Sequence, residues 1–282
     1  MKCDYVVTES GGVPIPTASG PKLRVSVGEK GVNWRRLIVH GTPGHGSRPF
    51  RTDNALVTAA RVVQRLAEYR SKARILDTWR RYVEELELDP DLTAALVDPD
   101  RVWETALALD DLALAREAHA CTHTTFSPNV ARGGTKVNVI PDQVEIEVDV
   151  RALPGIEADE LHAMLTEALG DLADRVTIET LPNRRPPGSM SSFDTPLVDA
   201  LSRVATALMP GSRIVPSMST GGTDARFFRF NGVPSYGFGL HSRRIPHTEY
   251  PLMFHGHNER VDTESLRLSA LMWEALCRDF LS

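Results

Sequence analysis

The sequence predicts an α/β protein in which a small ferredoxin-like module interrupts a second α/β domain. Three observations predict this fold class. Strand and helix patterns follow the order β-α-β-β-α-β between residues 34 and 180, a proline-rich segment ends that module, and helices and strands alternate after it. The 282 residues, 41% hydrophobic and 24% charged, are typical of a globular chain of about two domains.

The first 32 residues predict two strands. Residues 4–8 are strand-like and run into a turn at Gly11-Gly12, and residues 23–27 alternate apolar and polar side chains with a period of two. We assign residues 1–32 to the outer α/β domain.

The module is predicted to occupy residues 33–182. Asp53 or Asn54 caps its first helix, whose apolar residues we expect to face inward: Leu56, Ala60, Val63 and Ala67. Residues 71–120 stay helical in pattern but are broken by prolines, which predicts a helical insertion within the module. Without the insertion, the six elements fall at 34–40, 54–69, 122–127, 144–150, 158–170 and 176–180.

The rest of the chain, residues 183–282, is predicted to rejoin the outer domain. Residues 181–188 contain three prolines and a glycine, a composition that is typical of a linker. A helix over 195–208, a strand near 235–238 and a last helix capped by Asp262 follow. We expect one face of that last helix to be inward: Leu266, Ala270, Trp273, Cys277 and Phe280.

Charge and composition exclude several classes of protein. The net charge of −5 comes without a basic stripe, so we expect no nucleic-acid partner. Three scattered cysteines do not form a disulfide framework. No apolar run approaches the roughly 18 residues of a membrane span, and no signal peptide is visible, so we expect a cytoplasmic protein with no membrane partner.

Nine histidines raise the question of metal binding. A loop histidine beside glycine suits a metal ligand, and for the His255-Gly256-His257 segment a metal site and a polar surface loop are equally favoured. Around Cys121, flanked by His119 and His123, no fourth ligand is near, so a structural role is favoured. For two further histidines, surface positions are favoured over substrate contact: His241 and His247.

A second group of residues fits an anionic, amide-like substrate. His45 lies between two glycines and could donate a hydrogen bond to an oxyanion. Arg151, at a strand end, could clamp a carboxylate, and Asn138 could donate from its amide. The 219–226 loop combines consecutive backbone N–H groups, hydroxyls and Arg226, which suits a carboxylate or phosphate. It lacks the lysine and spacing of a nucleotide-binding loop.

Five motifs in fixed order resemble the zinc-dependent aminoacylase, acetylornithine deacetylase, succinyl-diaminopimelate desuccinylase and carboxypeptidase G family. They are Gly44-His45-Gly46-Ser47-Arg48-Pro49, Asn138-Val139-Ile140-Pro141, Arg151-Ala152-Leu153-Pro154, Gly221-Gly222-Thr223-Asp224-Ala225-Arg226 and His255-Gly256-His257-Asn258-Glu259-Arg260. The resemblance covers nearly the whole chain except about 71–120. It implies a two-zinc α/β catalytic domain, here residues 1–32 and 183–282, interrupted by a ferredoxin-like lid that forms homodimers.

The resemblance also implies a role for each matching residue. Glu9 and His255 match zinc ligands. His45 matches a lid histidine that stabilises the tetrahedral intermediate in the partner subunit's site. Asn138 and Arg151 match lid groups that hold the substrate carbonyl and carboxylate. The loop matches a backbone cradle for the same end of the substrate: Gly221, Gly222, Thr223 and Arg226.

The sequence departs from the family in one respect. The His-x-Asp motif, the bridging Asp and the Glu-Glu pair that supplies the general base all precede the position of Glu9 in the family, and eight residues precede it here. Glu84-Glu85 has the same sequence as that pair, but we expect both residues to lie on a solvated helix face. The resemblance therefore implies an amidohydrolase or peptidase chain that lacks its N-terminal metal ligands and is inactive alone.

Two alternatives stay open beside that interpretation. The chain could be a non-catalytic dimerisation or ligand-binding protein derived from the family. A metal-free serine or cysteine hydrolase has little support, because no Ser or Cys lies in a nucleophile-elbow or Cys-His context.

Overall fold

The computed structural model describes residues 2–182, 187–254 and 256–282. In chain order the strands are β1 (Val6–Thr8), β2 (Pro14–Ile15), β3 (Lys22–Glu29), β4 (Gly31–Val32), β5 (Arg35–His40), β6 (Gly44–His45), β7 (Thr125–Gly133), β8 (Val139–Ile140), β9 (Gln143–Ala152), β10 (Val176–Thr180), β11 (Ser189–Met190), β12 (Arg213–Ser219) and β13 (Ser235–Gly237).

The helices cover more of the chain than the strands do. They are α1 (Ala55–Glu68), α2 (Asp77–Glu85), α3 (Pro90–Leu96), α4 (Val102–Ala108), α5 (Leu112–Thr122), α6 (Ala158–Leu169), α7 (Pro196–Leu208), α8 (Ala225–Arg229), α9 (Tyr250–Met253) and α10 (Thr263–Phe280), with a 3₁₀ turn over Gly170–Arg175.

The chain divides into two compact units. The first comprises residues 1–30, 73–122 and 189–282, and the second comprises 31–72 and 123–188. Placing the helical insertion of 71–120 inside the module was therefore wrong. Helices α2–α5 belong to the first unit because α2 packs against β12 of that unit. Within the predicted linker, residues 183–186 lie outside the described part of the chain.

The second unit has the predicted ferredoxin-like order. Its antiparallel sheet runs β10-β5-β9-β7, with α1 packed on β5, β7 and β9. Alternate residues of β5 and β9 are buried, among them Leu37 and Ile146, while the residues between them are partly exposed. Short β4 pairs with the Arg151 end of β9, and β6 and β8 form a separate two-stranded ribbon. The α/β fold class predicted from the sequence is confirmed.

The first unit is organised around β3. This strand pairs in parallel with β12 and antiparallel with β2, β11 and β13, and β1 pairs in parallel with β13. One row of β3 side chains, Leu23, Val25 and Val27, is fully buried in a core with residues of α7 and α10. Because strand side chains alternate, the other row points to the opposite face of the sheet.

The opposite row of β3 is charged and binds the helical segment α2–α5. Lys22 Nζ lies 3.0 Å from Glu85 and 3.2 Å from Glu87, and Arg24 forms an ion pair with Glu117. Glu85, expected on a solvated face, is therefore one of the anchors of the segment. These pairs explain why a charged strand row is tolerated away from solvent: each cation meets a carboxylate.

Two helices bury a face other than the one predicted. In α1 the buried residues are Ala55, Thr58, Ala59, Val62 and Leu66, and in α10 they are Ser265, Leu268, Met272 and Leu276. The predicted residues Leu56 and Leu266 are more than half exposed. Each helix carries apolar residues on two sides, and the periodicity alone does not say which side packs.

None of the helices among the described residues combines the length and the apolarity that a membrane span needs.

The second unit's core gives a direct test of the strand assignment. Ile146→Ala should destabilise the protein by about 2–5 kcal/mol, because it opens a cavity beneath α1 where the side chain is 1% exposed. Urea unfolding followed by circular dichroism measures the change. The neighbouring Glu145→Ala, on the opposite face of the same strand, should cost less than about 1 kcal/mol. Equal losses would contradict the assigned faces.

Candidate functional site

His45 and Asn138 lie side by side at one end of the second unit. The β6–β8 ribbon pairs His45 with Val139, and the Gly46 N–H donates to the Asn138 carbonyl at 2.8 Å. A Cβ on Gly46 would lie 3.2 Å from the Asn138 backbone, so glycine permits this close approach. Two residues that are far apart in sequence are thus presented on one exposed ribbon.

The hydrogen bonds of His45 define which ring nitrogen can donate. The backbone N–H of Ser47 donates to Nδ1 at 3.1 Å, and the Ser47 hydroxyl lies 2.8 Å from the same atom. A nitrogen that accepts a backbone N–H carries no proton, so the neutral ring holds its proton on Nε2. The exposed ring therefore presents an N–H donor, the group that oxyanion stabilisation requires.

Arg151 lies at the other end of the same sheet. Its Nε and Nη2 bind the Asp149 carboxylate at 2.7 and 2.9 Å, and the Trp34 indole N–H also donates to Asp149 at 3.0 Å. The bidentate face of Arg151 is therefore occupied by a carboxylate of the same strand. The guanidinium has further N–H groups on its other side that can donate to a second acceptor.

The structure does not bring Arg151 together with His45 and Asn138. In β9, Gln143 pairs with His40 next to the ribbon, whereas Arg151 pairs with Val32 and Thr125. Gln143 and Arg151 are eight residue steps apart along β9, which is about 26 Å at the usual rise.

The 219–224 loop of the first unit is fixed at three points. The Lys30 N–H donates to the Ser219 carbonyl at 3.0 Å, the Thr223 N–H donates to the Glu29 carboxylate, and the Asp224 N–H donates to Glu9 Oε1 at 3.0 Å. Residues 220–222 are exposed. The sequence predicted a run of free N–H groups over this loop, but two of them are already bound to glutamates.

Glu29 is the site residue that sequence reasoning missed. Glu29 is the last residue of β3, and in the sequence it looks like an ordinary exposed residue at a strand end, yet its side chain is buried. The only signal was a charged residue within an otherwise apolar strand end.

Glu9 lies where the sequence predicted it, directly after β1. The following backbone is left-handed at Ser10, with φ of 85°, and at Gly11 and Gly12. A Cβ on Gly12 would collide with the Gly239 carbonyl, so this turn requires glycine. The other predicted metal ligand, His255, lies outside the described residues. Among those that are described, no three His, Cys, Asp or Glu side chains are grouped to hold a metal ion, so the described residues alone do not fit a zinc site.

The remaining histidine candidates are structural in character. His241 packs its ring edge-on against Tyr250, with centroids 4.9 Å apart. Burial lowers the pKa of His241, and the Asp262 carboxylate opposes this shift. Burial likewise lowers the pKa of His119 and of His247.

Residues 27–177 match the family model of the peptidase dimerisation domain, M20_dimer. Human aminoacylase-1 is 26% identical over 251 residues, which is 89% of this chain and 50% of the relative. A probable succinyl-diaminopimelate desuccinylase of Staphylococcus aureus strain Mu50 is 23% identical over 255 residues, or 90% of this chain and 57% of the relative.

The fold is shared with solved structures. An M20 family metallo-carboxypeptidase from Sulfolobus solfataricus, Sso-CP2, superimposes with a TM-score of 0.65 at 14% identity, covering 99% of this chain and 64% of that one. The chain spans about half the length of the curated relatives it matches.

The buried histidines predict how stability depends on pH. Because the folded pKa of His241 lies below its unfolded value, the unfolded chain gains a proton first as pH falls below about 6.5, and stability decreases there. Urea unfolding at about pH 7.5 and about pH 5.5 should show this loss, and His241→Gln should reduce it. The exposed His162→Gln is the matched control. An unchanged loss in His241→Gln would contradict the prediction.

Proposed function

Because the chain belongs to the M20 peptidase family, we propose that it serves a metal-dependent hydrolase that cleaves an amide bond next to a carboxylate. The separation of His45 and Asn138 from Arg151 carries the proposal. Groups at opposite ends of a sheet whose strand β9 spans about 26 Å from Gln143 to Arg151 cannot hold one small substrate together, whereas two copies of the chain can supply opposite ends of their sheets to one site.

In this arrangement one copy stabilises the reacting carbonyl. His45 Nε2–H donates to the oxyanion that forms as the amide is attacked, and Asn138 donates to the same carbonyl group. The ring is already in the required tautomer because Ser47 holds Nδ1. No proton has to move before the substrate arrives.

The other copy holds the substrate carboxylate through Arg151. Asp149 and Trp34 keep the guanidinium in place, so little side-chain freedom is lost on binding. Because a guanidinium pairs with a carboxylate, this arrangement favours substrates with a free carboxylate, such as N-acyl amino acids or peptides with a free C-terminus.

We propose zinc as the metal, with Glu9 and His255 as ligands and with the remaining ligands and the general base supplied by polypeptide outside this sequence. A catalytic zinc site takes three protein ligands and keeps one position open. The half-length coverage of the relatives supports this part of the proposal.

A non-catalytic role as a dimerisation or ligand-binding protein is the second candidate. The exposed ribbon and Arg151 would then still bind ligand, with no chemistry to follow. Coding DNA upstream of Met1 separates the two: an in-frame His-x-Asp segment favours the hydrolase, and a stop codon with a ribosome-binding site favours the binding protein.

The proposed dimer is a pair of second units in contact. Helix α1, which packs against β7, exposes Leu56 and Val57, and β7 pairs only with β9 among the described residues, so its outer edge is open. An open strand edge flanked by apolar side chains is a common site of self-association.

Metal analysis tests the catalytic part. Dialysed against trace zinc, the purified chain should retain well under two zinc ions and should release no amino acid from N-acetyl-L-amino acids, because too few ligands are present to activate water. Elemental analysis and an amine-release assay measure the two results. Two tightly held zinc ions, or turnover by the chain alone, would show that the ligand set is complete and this part of the proposal wrong.

Sedimentation tests the dimer. The wild-type chain should sediment as two 31.1 kDa copies, and Leu56→Glu with Val57→Glu should convert it to a monomer by placing two charges in the interface. Leu107→Glu, equally exposed but in the first unit, is the matched control and should remain dimeric. A dimer that survives the α1 substitutions would place the interface elsewhere.

A further inference from the structure

Glu29 is the most deeply buried carboxylate near the exposed loop of the first unit. It is 1% exposed, one oxygen accepts the Thr223 N–H, and the other has no hydrogen bond among the described residues. Arg229 Nη1 lies 3.9 Å from that second oxygen and forms an ion pair with it. A buried carboxylate is stable only when it is paired in this way.

Arg229 links Glu29 to the sheet. Its guanidinium donates to the Ser235 carbonyl at 2.7 Å and to the Ser191 hydroxyl at 3.2 Å. Glu29 therefore connects the loop to the sheet. One carboxylate oxygen accepts the Thr223 N–H, and the other faces the Arg229 guanidinium, which donates to the Ser235 carbonyl of β13.

Arg226 is the second buried guanidinium, and its charge is not neutralised by a neighbour. The residue is 8% exposed, its Nε has no hydrogen bond among the described residues, and within that part of the chain no carboxylate lies within ion-pair distance. The guanidinium lies directly against Gly222, where an added Cβ would overlap Nη1. Of the two guanidinium groups under the loop, Arg229 is paired with Glu29, and Arg226 has no carboxylate partner among the described residues; the Glu9 carboxylate lies at the far end of the loop, where it accepts the Asp224 N–H.

We propose that Glu29 is a positioning residue that holds the 220–222 tip in place over Arg226, so that its backbone N–H groups bind the carboxylate of an N-acyl amino acid. Glu29 neutralises Arg229 and fixes Thr223, and it leaves the charge of Arg226 for the ligand. The ligand class rests on the proposed function, whereas the positioning of the loop by Glu29 does not.

Amide NMR of the ¹⁵N-labelled full chain tests both parts. Without ligand, Glu29→Ala should move the Thr223 amide proton upfield, because its charged acceptor is lost. N-acetylglycine should shift the Gly221 and Gly222 amides of the wild type, and N-acetylglycinamide, which lacks the carboxylate, should not. Glu29→Ala should weaken N-acetylglycine binding about tenfold, since the Thr223 N–H loses the acceptor that holds the loop and the Arg229 charge loses its counter-ion.

Two further variants separate positioning from general stability. Glu29→Gln keeps an acceptor for the Thr223 N–H and should restore binding to within about threefold of the wild type. Glu117→Gln breaks the ion pair to Arg24 in the same unit and should leave binding unchanged, because Glu117 contributes no hydrogen bond to the 219–224 loop within the described part of the chain.

An unshifted Thr223 amide in Glu29→Ala, or equal weakening by Glu117→Gln, would overturn the positioning role. If N-acetylglycine fails to bind the wild type while Thr223 responds as expected, the ligand class and the proposed function fail and the positioning role stands.

Discussion

The first unit depends on the pairing of β3 with β12 and on the different character of the two β3 faces. The pairing extends from Lys22 to Glu29, the whole length of the strand. On one face, the apolar row makes the core with α7 and α10, and on the other the cations Lys22 and Arg24 hold the helical segment α2–α5. The same strand then ends in Glu29, which fixes the loop after β12. Core, helical segment and loop are therefore all set by the alternation of one eight-residue strand.

In the second unit, the length of strand β9 separates two groups of polar side chains. Strand β9 is long enough to put Arg151 at one end of the sheet and the ribbon with His45 and Asn138 near the other. Each end is locally rigid: the Arg151 guanidinium donates to Asp149, which is itself held by the Trp34 indole N–H, and Ser47 holds the imidazole of His45. Such preorganisation reduces the entropy that a bound substrate must overcome. In the dimer proposed above, two such sheets would supply opposite ends to one site.

The sequence predicted the elements better than the packing between them. The strand β9, with its period of two, and the Asp262 cap of α10 were both predicted correctly from the sequence, because each depends only on residues that are close together in the chain. The prediction of which side of α1 and α10 is buried was wrong, since each helix has apolar residues on two sides and tertiary contacts decide which side packs. The helical segment was assigned to the wrong unit for a similar reason: Glu85 was expected on a solvated helix face, because its partner Lys22 lies far away along the chain. The side-by-side placement of His45 and Asn138 followed only from the ribbon, and the role of Glu29 only from its burial.

The β3–β12 pairing also has a consequence for biosynthesis. Residues 22–29 leave the ribosome before the second unit, and their partner at 213–219 follows only after the whole second unit has been made. At typical translation rates the delay is on the order of ten seconds or more. During that time the Leu23, Val25 and Val27 row lacks its long partner β12 and the helices α7 and α10 that cover it, while the second unit, complete once β10 emerges, can already fold. The nascent chain therefore carries a folded unit next to an unsatisfied apolar strand, the kind of segment that chaperones bind.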